Sequence, residues 1–479
     1  MAKPGSDGVT LPQGVSASAL FRRLLREASE RFADLAPARV PESGERFRRD
    51  FPEALARFES ARAASTERGA IARFLVEASH RALGVGATPH DEAVREGAEP
   101  LELESWWMVG SGRLLPVIPY RGRIFRGREL LELTEDLAAR ELLAKAAHDA
   151  IRWLLDTALD GAGELDLSGR RFALLGAGAE LAPTPLLLEA GAEVLWIDLA
   201  APPEALAKDS ALSGRLCVPR GGADLLARPA AVAATLARFA EAGPIDVGLY
   251  AYAPGAGREW RLEAAMNAIV DALAPGALRS VSLLISPTTP LALGPDERHA
   301  RERRREARPA WQRALGALGL LGSDALVGEG AAAVPRIVVA LQGASYQAAQ
   351  YLEKVLAAER WLAAEGRRFS VSANVAGISQ TRSLSHPLFE AAYAGASAFG
   401  VETFAPETTR ALSGLLMLHD LLNPEAPGAV GRTSSPALFA QRFHGGFHVV
   451  PSAMDPSLRV AALIGLARRP SLLARLVRR

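Results

Sequence analysis

The sequence predicts an α/β protein whose central unit is a doubly wound parallel sheet, preceded and followed by helical units. Three observations lead there. Beyond residue 161, short and continuously apolar runs alternate with helix-length runs, the pattern of strands buried on both faces between covering helices. Before that point apolar residues recur at spacings of three and four, with charges on the other faces. After residue 386 the helical period returns, with two interruptions.

At 479 residues the chain is long for one compact core, and 49% of its residues are apolar, so several folded units are expected. The 55 basic and 54 acidic residues nearly cancel, which leaves no global excess to neutralise nucleic-acid phosphates. The single cysteine, Cys217, excludes an intramolecular disulfide and suits a reducing compartment. The amino terminus lacks a signal-peptide core and no run of eighteen apolar residues follows, so a cytoplasmic, non-spanning protein is expected.

Residues 1–160 read as a mostly helical domain. ALFRRLLREASERFADL and LARFESARAASTERGAIARFLVEASHRAL are amphipathic, WWMVGSGRLLPVIPYRGRIFRGREL suggests a hairpin or extended arm, and a further helix leads to a joint at Gly161–Gly163. Residues 161–385 form the sheet domain, with RFALL, VLWID, IDVGLYAYA, RSVSLLIS and RFSVSAN as strands and an insertion at 287–335. Residues 386–479 form a helical cap ending in PSLRVAALIGLARRPSLLARLVRR.

The stretch FALLGAGAELAPTPLLLEAGAEVLWIDLA carries the first functional signal. Its first strand ends at Leu175, and Gly176-Ala-Gly178 forms the turn toward a helix, where backbone can approach a pyrophosphate closely. Asp198 closes the second strand 22 residues after Gly176, where a carboxylate accepts from the hydroxyls of an adenosine ribose. Leu, Ala, Ala and Pro follow it with no Arg nearby, so NAD(H) is expected rather than NADP(H). The third-glycine position holds Leu181, and Pro183 and Pro185 remove donors from the turn. The alternative is a glycine turn that only links strand to helix in a Rossmann-like fold.

QGASYQAAQYLEKVLAAERWLAAEGRRFSVSANVAGISQTRS resembles the active-site helix and following strand of the short-chain dehydrogenase/reductase family. The resemblance covers about 220 residues. It implies Tyr346 as the proton donor, Ser286 at the end of RSVSLLIS as its partner, Gly377 as the turn glycine and Thr381 as the residue near the nicotinamide. Gln350 takes the place of the family's Lys: it can hold a ribose hydroxyl but has no charge, so Tyr346 is expected to keep a pKa near the ordinary value of about 10. Lys354, eight residues from Tyr346, lies about two turns along and does not simply replace the missing cation. About 60 residues separate Ser286 from Tyr346, far more than in the family. An aromatic packed on the sheet at a helix start is the structural alternative for Tyr346.

Together these features imply an NAD(H)-dependent oxidoreductase interconverting an alcohol and a ketone, or reducing a double bond, on an apolar small molecule. The alternatives are an S-adenosylmethionine-dependent methyltransferase, whose support would be a reversed strand at the sheet edge, and a non-catalytic Rossmann-like binding scaffold with a filled crevice. His444 and His448 in RFHGGFHVV suggest no metal site, since Gly-Gly between them disfavours a helix; a glycine-rich loop closing over substrate is the reading by analogy. RGRIFRGR, at 121–128, is a candidate phosphate or carboxylate clamp or a charged hairpin edge, and Arg298–Arg313 reads as a solvated, ion-paired face. Glu402, Glu407 and Asp420 stay unassigned. The basic, Leu-rich C-terminal helix is a candidate for peripheral membrane contact or for packing on the domain or a homo-oligomer partner.

Overall fold

The computed structural model describes residues 8–255, 257–322, 326–381 and 387–472. Seven strands form the central sheet: β1 (Leu103–Trp107), β2 (Arg171–Leu175), β3 (Glu193–Ile197), β4 (Arg215–Pro219), β5 (Ile245–Leu249), β6 (Leu278–Ile285) and β7 (Ser370–Val375). Their order is β7-β6-β5-β2-β3-β4-β1. Every pairing is parallel except β1 against β4. The five strands expected from apolar runs are present, and the sequence reading lacked two. RLCVP became β4 and LESWW became the antiparallel edge β1.

Alternate residues of one strand enter different cores. Ala173, Leu175, Leu195 and Ile197 join one apolar cluster, while Phe172, Leu174, Val194 and Trp196 join another. Both faces of the sheet are therefore covered, which is why these runs are apolar at every position. The first face carries helices α1 (Ala17–Arg31), α2 (Gly44–Ala64), α3 (Arg68–Ala82), α4 (Arg258–Asp271) and α5, a continuous helix formed by Ala344–Gln350, Tyr351–Leu356 and Ala357–Leu362. The middle piece of α5 is wound as a π turn. The second face carries α7 (Pro406–Leu422) and the helix at Lys145–Trp153.

The N-terminal helices share the sheet's core, since Leu20, Phe21 and Leu75 belong to the same cluster as Val247 and Val281. A buried ionic seam fastens them. Arg62 Nη1 donates to Glu359 Oε2 at 2.6 Å and Arg62 Nε to Glu59 Oε2 at 2.7 Å. Glu353 of α5 accepts from Ser79 and His80 of α3 and from Trp260 and Asn267 of α4. Such groups persist in a core because each is paired.

The expected hairpin is present as Val117–Tyr120 paired with Arg123–Arg126. Two of its four arginines are engaged within the chain: Arg121, together with Arg140 and the Tyr120 hydroxyl, bonds Glu402, and Arg123 bonds Glu129. This accounts for Glu402. The Arg298–Arg313 stretch is only partly a solvated face, because Arg301 is buried and Arg304 pairs with Glu141. Helices α6 (Pro387–Ala396) and α8 (Met454–Arg468) cross at small residues, where a Cβ on Gly395 would stand 1.9 Å from the Ala461 carbonyl oxygen and one on Gly465 1.8 Å from that of Ala391. The C-terminal helix thus packs on the chain itself, and Leu473, Leu476 and Val477 of the same expectation lie outside the described residues. Among the described residues no helix is long and apolar enough to cross a membrane.

Candidate functional site

Strand order reverses between β2 and β5, whose neighbours run off in opposite directions. At such a point the two following connections leave on opposite sides and open a crevice at the carboxyl ends of the strands. A cavity of about 680 Å³ occupies that place. It runs from the turn at Gly178–Leu181 over the ends of β5, β6 and β7 to α6 and α8.

The glycine turn is built by constraints internal to the chain. Gly176 has φ +88°, and a Cβ there would stand 2.2 Å from the Ala251 backbone nitrogen, so only glycine fits. The Gly178 N–H donates to Asp198 Oδ2 at 2.9 Å, with the Trp196 ring beside it. Gly178 lines the cavity, whereas Gly176 and Asp198 do not. The helix after the turn spans only Thr184–Glu189, too short and too late to aim a helix terminus at a phosphate.

The other end gathers the residues that the family resemblance singled out. Ser286, Tyr346, Gln350, Gly377 and Thr381 all line the same cavity. Ser286 and Tyr346 line the same cavity despite their separation in sequence, and the serine side chain acts to lower the pKa of the phenol. Burial nevertheless drives the Tyr346 phenol well above its ordinary pKa, with the nearby Glu263 and Glu259 charges acting in the same direction. This corrects the expectation of an ordinary value, which took no account of burial. Tyr252 meets the Tyr346 ring edge to face at 6.3 Å.

Gln350 is less free than expected, because its Oε1 accepts the Ser286 N–H at 2.9 Å and so pins the end of β6 to α5. Ser286 Oγ and Thr288 Oγ1 are 2.9 Å apart, and the Gln347 amide reaches Thr288. Gly377 is buried against Phe443, whose ring would lie 2.7 Å from a Cβ there. Its glycine is required by that packing.

Three acidic or basic side chains were not recognised as parts of the site from sequence. Glu259 and Glu263, one turn apart on α4, are both buried. Glu259 Oε1 accepts from Ser345 Oγ at 2.6 Å. Glu263 Oε1 pairs with Lys354 Nζ at 3.0 Å, and burial pushes the Glu263 carboxyl up to about 7. Lys354 lines the cavity and also donates to the Leu284 carbonyl at 3.0 Å. The signal available in EWRLEAAMNAIV was a pair of carboxylates four apart in an otherwise apolar helix.

His444 and His448 do not form an open loop. They are buried and stacked with ring centroids 5.0 Å apart, beside Glu297 and Arg442. His448 Nε2 lies 3.0 Å from the Pro287 carbonyl oxygen and so holds the segment after Ser286. Burial lowers both imidazole pKa values. Asp420 is likewise structural, accepting from Ser372 and Asn374 of β7 and from Gln441. Among the described residues no group of three or more His, Cys, Asp and Glu could hold a metal ion.

A nicotinamide dinucleotide is the group these residues were expected to hold. At the Tyr346 end the cavity offers the Ser286 hydroxyl, the phenol and the backbone at Gly377. At the turn Asp198 keeps acceptor capacity, because its Oδ1 takes only a 3.4 Å bond from the Ala200 N–H. The Tyr346 end fits; at the turn Gly178 lines the cavity but Asp198 does not, and the pyrophosphate between finds the Gly178–Leu181 backbone in place of a helix terminus. No family model matches the chain, and no curated protein matches it.

Proposed function

We propose that the chain is a Rossmann-like, short-chain dehydrogenase/reductase-like oxidoreductase that uses NAD(H) to interconvert a carbonyl and an alcohol on an apolar small molecule. The observation that carries the reading is the convergence of Gly178, Ser286, Tyr346, Gln350, Gly377 and Thr381, from four separate stretches of chain, on one cavity at the reversal point of the sheet. In this reading Gly178 and Asp198 hold the adenosine half, with Gly176 shaping the turn. Gly377 and Thr381 flank the nicotinamide, and Gln350 acts mainly by fixing Ser286. The bound nicotinamide supplies or accepts the hydride.

Tyr346 and Ser286 bind the substrate oxygen. A phenol with a raised pKa stays protonated at neutral pH, and as a neutral donor it stabilises an oxygen that gains negative charge. The same property makes it a poor base. A neutral donor to that oxygen serves the hydride transfer in both directions, because stabilising the shared transition state lowers both barriers. Apolar walls from Phe389, Ala392, Ala396, Phe399, Leu458 and Ala461 support an apolar substrate body.

The alternatives receive less support. The reversed strand that a methyltransferase would favour exists as β1, but it comes from the N-terminal region and lies beside β4, while the cavity stands over β5, β6 and β7. A binding scaffold with a filled crevice is at odds with a cavity of about 680 Å³. The test is isothermal titration with NADH, NADPH and S-adenosylmethionine. NADH binding at micromolar Kd, weakened at least about tenfold by Asp198→Ala, is the expected result. Silence from all three ligands would end both enzyme readings.

A further inference from the structure

Lys354 and Glu263 form a buried ion pair at the cavity wall that the proposed reaction does not use. On an ideal α-helix eight residues turn through about 800°, which leaves Lys354 about 80° away from the direction of Tyr346. The π turn at Tyr351–Leu356 absorbs one extra residue with little added rotation, and this brings Lys354 back to within about 20°. Tyr346, Gln350 and Lys354 accordingly line one cavity.

An ammonium has three donors. Those of Lys354 meet the Leu284 carbonyl and Glu263 Oε1, both at 3.0 Å, which leaves one proton for the cavity that the side chain lines. Glu263 Oε2 is buried without a hydrogen-bond partner among the described residues, as is Glu259 Oε2. The Glu259 carboxyl lines this side of the cavity and disfavours an anionic ligand there. Tyr393, Phe389 and Leu458 make the facing wall apolar.

We infer that Lys354, held by Glu263 as its buried counter-charge, is a ligand-binding residue that grips the oxygen of a neutral amphiphile, a ketone or alcohol whose apolar body lies against α6 and α8. This rests on the reading above that the cavity takes an apolar alcohol or ketone. Glu263 acts through Lys354 and is a positioning residue.

The experiment compares a matched pair of probes, acetylnaphthalene and ethylnaphthalene, which differ in the carbonyl oxygen, by isothermal titration of the full chain. The wild type is expected to prefer acetylnaphthalene by at least about tenfold. Lys354→Met alone leaves Glu263 buried and unpaired, so the deciding variant is Lys354→Met/Glu263→Leu, which removes both charges. It is expected to lose most of the preference, keeping only the share that Tyr346 and Ser286 supply, with the wild-type affinity for ethylnaphthalene unchanged, and Tyr346→Phe is expected to keep the share that Lys354 supplies. A double variant that folds and retains the full preference overturns the inference. So does a wild type that binds both probes equally, an outcome that leaves the NADH titration to decide the cofactor reading by itself. A wild type that binds neither probe overturns the substrate class proposed above and this inference with it.

Discussion

Glu353→Gln tests how the N-terminal helices are held to the sheet domain. Glu353 is fully buried and accepts from Ser79 at 2.5 Å, Asn267 at 2.8 Å, His80 at 3.0 Å and Trp260 at 3.1 Å. These partners, His80 first among them, outweigh desolvation and hold the carboxyl at about 2 rather than 4.5. The fold therefore favours the ionised form by about 3 kcal/mol. Glutamine keeps the shape, loses the charge and places two N–H donors among groups that already donate, so a loss of about 3 kcal/mol is expected. Urea denaturation followed by tryptophan fluorescence, with Trp260 at the altered site, measures it.

The pH dependence has a definite sign. Because the folded-state pKa of Glu353 is depressed, its contribution is present above about pH 4.5 and is lost as pH falls toward 2. The wild type should lose this increment across that window and the glutamine variant should lack it. A variant within about 1 kcal/mol of wild type at neutral pH would refute the claim that the charge at Glu353 stabilises the junction.

Gly176→Ala combines a left-handed backbone with a Cβ 2.2 Å from the Ala251 nitrogen, so a loss of about 2–4 kcal/mol is expected, read as a lowered Tm; an unchanged Tm would mean the turn relaxes freely. Glu402→Ala removes the acceptor shared by Tyr120, Arg121 and Arg140, and limited proteolysis should then cut at the 117–126 hairpin while the sheet stays intact. Tyr346→Phe should lower kcat for carbonyl reduction by at least about 100-fold with NADH affinity unchanged; equal activity would remove the phenol from the proposed chemistry.

The alternation of buried strands and covering helices is legible in the amino-acid sequence, because a strand covered on both faces needs apolar residues at every position, as in RFALL and IDVGL. The sequence also marked Gly176, where a turn between strand and crossover requires a residue without a Cβ. β1 and β4 escaped because LESWW mixes Glu and Ser into an edge strand and RLCVP has only Leu216–Val218 as an apolar run between Arg and Pro, so neither stands out from its surroundings. The meeting of Ser286 with Tyr346 was suggested only by resemblance, since no local pattern reports a contact across some 60 residues. The tertiary structure alone decided the rest. Burial raises the Tyr346 phenol and the Glu263 carboxyl, packing turns His444 and His448 inward onto Glu297, and the π turn carries Lys354 to the cavity. Each of these depends on what surrounds a side chain in space, and a one-dimensional pattern does not contain that environment.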